Sequence, residues 1–97
     1  MHKREAHELT YLPASFGNLI QLEELDLHEN EFTNLPACIV KLTQLTCIDL
    51  RRNKLTSLPA FFTQLPQLTD LYLQGNAFSK QEKQRIKVML PNCAVNF

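Results

Sequence analysis

What most constrains this chain is one motif written three times at a fixed spacing. Leu22, Leu25, Leu27, Asn30, Phe32, Leu35, Pro36, Ile39 and Leu42 recur 23 residues later as Leu45, Ile48, Leu50, Asn53, Leu55, Leu58, Pro59, Phe62 and Leu65. A third copy opens with Leu68, Leu71, Leu73, Asn76 and Phe78, then gives up the Leu-Pro stretch. Chance alternation of apolar and polar residues would not also place an Asn and a Pro in phase. Self-similarity with a period in the twenties is the mark of a solenoid, in which each copy is one structural unit stacked on the next.

The physics of the unit follows from its residues. In Leu25-Asp26-Leu27 and Ile48-Asp49-Leu50 apolar and polar residues alternate, which predicts a short strand with one buried and one wet face. Such a strand is unstable alone. Stacking copies buries the apolar faces, and each Leu or Ile so buried contributes about 1.5–3 kcal/mol. Asn30, Asn53 and Asn76 stand where the chain leaves the strand. Their amides carry donors and acceptors suited to a ladder that satisfies inward-facing backbone groups. Leu35-Pro36 and Leu58-Pro59 then begin a return path, because Pro fixes its own φ and restrains the residue before it.

This pattern, LxxLxLxxNxLxxLPxxIxxL, resembles the leucine-rich repeat family in its 23-residue form. The resemblance covers nearly the whole chain. It implies an α/β solenoid, a short curved stack of parallel strands, and a role in binding other macromolecules, without naming the ligand. The expected organisation is one domain over residues 1–97: a partial first repeat (1–21), two full repeats (22–44 and 45–67), and a last repeat with a C-terminal cap (68–97).

The two ends read differently. Leu9, Leu12, Pro13, Phe16 and Leu19 match Leu55, Leu58, Pro59, Phe62 and Leu65, so residues 11–21 are expected to form a return path. The strand before it is poor, with His2 and Arg4 where Ile48 and Leu50 would be, and His7 at the Asn position. This leaves the strand around Leu25 as an uncovered edge. An unpaired edge is a template for association, so the expectation is either a longer parent protein or a homodimer through the N-terminal ends. At the other end, Ser79 and Glu82 form a capping box, and Ile86, Met89 and Leu90 recur at helical spacing up to Pro91. An α-helix of about three turns is expected there, followed by a last strand through Val95 and Phe97. The tail EKxRIxxxLPNCxVxF is similar to the C-terminal caps of bacterial leucine-rich repeat proteins, which implies a bacterial origin and a natural C-terminus.

Composition narrows the function. Ten basic and ten acidic residues balance to a net charge of zero, against nucleic acid or an anionic membrane as the partner. No apolar run reaches the roughly 18 residues of a membrane span, and the polar start carries no signal-peptide core. Cys38, Cys47 and Cys93 are odd in number and lack CxxC spacing, which points to free thiols in a reducing compartment, the cytoplasm, and away from disulfides or zinc. With only Gly17 and Gly75, no phosphate loop or nucleophile elbow fits. Cys47, His28 and Asp49 could be drawn as a nucleophilic grouping and His28, Asp26 and Glu29 as a metal site. An open sheet face excludes no water, however, and these charges read better as a solvated surface. The expectation is therefore no enzyme, no metal and no cofactor.

Binding is the better reading. Residues alternating with the buried ones face the concave side in columns: Glu24, Cys47 and Asp70; Asp26, Asp49 and Tyr72; His28, Arg51 and Gln74; with Glu29 and Arg52 beyond. This surface is charged, mixed in sign and anchored by one Tyr, which suits a protein or peptide partner. Charge is graded along the stack, since the first full repeat carries Glu23, Glu24, Asp26, Glu29 and Glu31 against Lys41, and the second is net basic. The alternative is a terminal structural fragment of a longer repeat protein whose function lies in domains outside this chain.

Overall fold

The computed structural model describes the backbone of residues 3–5 and residues 13–97 in full. Among these described residues, five short strands, β1 (Lys3–Glu5), β2 (Glu24–Asp26), β3 (Cys47–Asp49), β4 (Asp70–Tyr72) and β5 (Ala94–Asn96), form one parallel sheet in chain order. Three 3-10 turns, Ala14–Asn18, Ala37–Lys41 and Ala60–Gln64, form the opposite wall at the same 23-residue offset as β2, β3 and β4. One helix, α1 (Lys80–Met89), takes the place of a fourth turn. Each 3-10 turn follows a Pro in extended conformation, and the Pro carbonyl accepts the first turn hydrogen bond: Phe16 N to Pro13 O at 2.9 Å, Ile39 N to Pro36 O and Phe62 N to Pro59 O at 3.3 Å. Leu9, Tyr11, Leu12, His2 and His7 lie outside the described residues.

Between the two walls runs an apolar core. Leu25, Ile48 and Leu71 stack in register on the strands, and Leu27, Leu50 and Leu73 two residues further on; all six are at most 1 % exposed. Phe16, Ile39 and Phe62 fill the core from the turn side. The strand exits are tied by asparagines. Asn53 Nδ2 donates to Leu27 O and Leu50 O, both at 3.0 Å, and its Oδ1 accepts from Phe32 N at 3.1 Å. Asn76 repeats this one rung on, donating to Leu50 O and Leu73 O and accepting from Leu55 N. Each amide thus joins its own repeat to the preceding one and satisfies carbonyls that burial would otherwise orphan.

The N-terminal edge corrects the expectation from sequence. Residues 3–5 form a strand and pair with β2 through Arg4 and Leu25, two residues out of phase with the repeat, which would have set His2 there. Parallel pairing is made by backbone N–H and C=O groups that any non-Pro residue supplies, so a polar segment can add a strand that side-chain pattern does not announce. Leu25 is therefore interior to the sheet, and the premise for a dimer through an uncovered Leu25 edge falls.

At the C-terminal end, Ser79 Oγ accepts from Glu82 N at 3.1 Å, which starts α1. The expected reciprocal half of the capping box is replaced. Glu82 turns its carboxylate away from Ser79 to accept from Leu58 N at 2.9 Å, and Arg85 donates to Glu82 and to Leu58 O. Leu58 begins the second repeat's return path, and these two side chains satisfy its backbone N–H and C=O and tie α1 to that repeat. Ile86 and Leu90 close the core, Phe78 meets Phe97 edge-on at 6.1 Å, and Val95 pairs in register with Leu71.

Candidate protein-binding face

The sheet register assembles the concave surface. Glu24, Cys47 and Asp70 lie side by side across β2, β3 and β4, extended by Ala94 on β5; Asp26, Asp49 and Tyr72 form the next column, extended by Asn96. Adjacent members are about 4.8 Å apart, the spacing between paired strands. Beyond the strand ends, Glu29 N donates to Arg51 O and Arg52 N to Gln74 O, both at 2.8 Å, which continues the alignment into His28, Arg51 and Gln74 and then Glu29 and Arg52. Asn96 was not among the residues expected here, although its place between Val95 and Phe97 carried the signal.

The aspartates serve the backbone as well as the surface. Asp26 Oδ1 accepts from His28 N at 3.2 Å, and Asp49 Oδ1 from Arg51 N at 3.1 Å, each bracing the turn two residues on. Tyr72 holds the corresponding place in the third copy and frees a ring for contact. Asp26 is only 8 % exposed, so of the column it is the least available to a partner.

Electrostatically the face is one network. Arg51 binds Asp49 with two parallel bonds, Nε to Oδ1 at 2.9 Å and Nη2 to Oδ2 at 2.7 Å, and its guanidinium stands 6.0 Å from the Tyr72 ring centroid. His28 hydrogen-bonds the Asp26 carboxylate through Nδ1 and stands 3.5 Å from Glu29 and 4.0 Å from Asp49. That hydrogen bond, with the negative field of Asp26, Asp49 and Glu29, raises the His28 pKa above its ordinary 6.5 against a smaller desolvation effect.

Cys47 lies opposite Glu24 and feels the carboxylates of Asp70, Glu24, Asp49 and Asp26, whereas His28 lies in the turn past the end of β2 and is bonded to Asp26, so no base is placed on the Cys47 thiol. Burial and the carboxylates of Asp70 and Glu24 raise the Cys47 pKa, and burial pushes Cys93 up to about 11, which keeps both as neutral thiols near neutrality. All three cysteines are free. For a metal, ligand atoms of Asp26, His28 and Asp49 do lie within 4.8 Å of one another, with Asp49 in the place expected for Glu29. A cation entering there would have to displace Arg51 from Asp49.

The family model for leucine-rich repeats matches residues 20–78. The chain belongs to the leucine-rich repeat family. It is similar to a solved leucine-rich repeat protein of Leptospira interrogans, at 40 % identity and a TM-score of 0.86 over 91 % of this chain. This chain spans 22 % of that structure's length. Comparison with curated proteins gave no match. Leucine-rich repeats as a family generally serve as non-enzymatic protein-interaction modules, and the repeat described here has the open, polar sheet face such a role needs. No helix among the described residues is long and apolar enough to cross a membrane.

Proposed function

We propose that this domain binds a protein or peptide across its concave face, with Tyr72 and Arg51 at the centre and Glu24, Asp26, His28, Glu29, Cys47, Asp49, Arg52, Asp70 and Gln74 around them. The observation that carries the reading is the contact of Arg51 with both Asp49 and Tyr72, which lie side by side in the adjacent column. It presents a positioned cation and an aromatic ring together, the residue types that dominate binding energy at protein interfaces. The zero net charge of the chain supports a protein over a nucleic acid or a charged membrane. Three free thiols support a reducing, cytoplasmic setting, and the similarity to a Leptospira protein supports a bacterial source. The test is capture from native extract with wild type and with an Asp49→Arg, Arg51→Glu, Tyr72→Ala variant whose circular dichroism matches wild type. Partners held by wild type and lost by the variant are expected. Identical captures from both would reject the concave face.

A further inference from the structure

The geometry points to a docking notch for an acidic side chain of the partner, a single carboxylate, at the rim of the concave face between Arg51, Arg52, Gln74 and Gly75. The inference rests on the proposed binding role and adds the chemistry of one partner group. These four residues line a cavity of about 340 Å³, and a second of about 220 Å³, lined by His28, Glu29, Arg51 and Arg52, adjoins it across the same two arginines.

The notch offers donors and little else. Arg52 is exposed and makes no ion pair among the described residues. Gln74, whose Oε1 is buried without a donor, also lines the notch, and its amide nitrogen can donate. Asp49, the nearest carboxylate on this strand, is already committed to Arg51. One guanidinium is therefore neutralised and one is free, which matches a monoanion better than a phosphate dianion. A planar carboxylate also suits the two-pronged geometry of a guanidinium.

Two further features keep Arg52 where it is. Arg52 sits at φ 58°, in the left-handed region, at the place held by Glu29 (φ 59°) and Gly75 (φ 79°) in the neighbouring copies. Glycine meets that conformation without a Cβ penalty, whereas an arginine there is held against its own backbone preference. Gly75 in turn leaves room for the arginine stem, since a Cβ added to it would stand 3.0 Å from Arg52 Cγ. The result is a free cation on a braced turn beside an opening that no side chain fills.

The notch can be read without any partner, by ¹H–¹⁵N NMR titration with a blocked Gly-Asp-Gly peptide, the same peptide with Asn for Asp, and sodium phosphate, all at one ionic strength. The Gly75 amide and the Gln74 side-chain amide should shift several-fold more with the Asp peptide than with the Asn peptide or phosphate. Arg52→Gly should abolish the difference while melting at or above wild type, because glycine suits the left-handed turn. If that variant melts lower, Arg52→Asn, which also tolerates positive φ, makes the same comparison. Equal shifts from Asp and Asn peptides, or unchanged shifts in the Arg52 variant, would overturn the notch, and phosphate shifts as large as those of the Asp peptide would overturn the carboxylate assignment. A silent titration beside intact capture by wild type and loss in the Asp49, Arg51, Tyr72 variant would remove the notch and leave the face.

Discussion

Asn53 and Leu50 show how much of this fold rests on single positions. Leu50 is fully buried between Leu27 and Leu73, and truncation to Ala should cost about 2–5 kcal/mol, a large part of a small domain's total. Asn53→Ala strips Leu27 O and Leu50 O of a donor and Phe32 N of an acceptor, and should cost about 1–3 kcal/mol. Chemical denaturation of both variants checks these values, and melts equal to wild type would mean the register is wrong. His28 gives a pH signature. Its pKa is raised in the folded state, so its contribution is fully present below 6.5 and is lost as pH rises through the higher folded value. His28→Gln should therefore lower the melting point at pH 5.5 more than at pH 9. Leu50 and Asn53 were legible in the sequence because repetition exposes any position that must do the same thing in every copy. The inward bonds of Asp26 and Asp49 were not, because an alternating pattern gives the face of a residue and not the rotamer its carboxylate adopts.

The cap is the element whose chemistry differs most from the repeats. Glu82 is held below its ordinary carboxylate pKa of 4.5, first by the hydrogen bond from Arg85 and then by the bond from Leu58 N. A depressed carboxylate stabilises the fold above its ordinary pKa, and the contribution disappears as pH falls through the folded value. Wild type should thus lose melting temperature below about pH 4.5, and Glu82→Gln should be less stable at pH 7 yet show a shallower loss on acidification. Thermal melts from pH 7 to pH 3 would show it. Removing residues 79–97 altogether bares the core around Leu71 and Leu73, and the product should aggregate; a soluble, cooperative monomer would show the cap to be an appendage. The boundaries of α1 were legible from Ser79 and Pro91, since capping and helix-breaking are local. The grip of Glu82 and Arg85 on Leu58 was not, because it spans 24 and 27 residues and depends on where the stack ends. Strand β1 was missed for the opposite reason, since strand pairing is made by backbone groups that a side-chain pattern does not announce.

Across the whole molecule, repetition turns a sequence period into a surface. The 23-residue offset sets β2, β3 and β4 in exact alignment, so residues distant in sequence become neighbours on one face while Asn ladders and the apolar core hold the opposite side. The acidic first repeat and the basic second then lie side by side, and a partner of opposite polarity would be oriented by that gradient, with an effect on association that weakens as salt rises. The binding proposed for this chain resides on the concave face. It is tested most directly by titrating a captured partner, by calorimetry, into wild type, into the Asp49→Arg, Arg51→Glu, Tyr72→Ala variant, and into a Lys41→Glu, Gln64→Ala variant on the 3-10 wall. Affinity should fall at least about tenfold, some 1.4 kcal/mol, with the concave substitutions and stay unchanged with those on the 3-10 wall. Affinity unchanged by the concave substitutions, or lost only with those on the 3-10 wall, would contradict this placement.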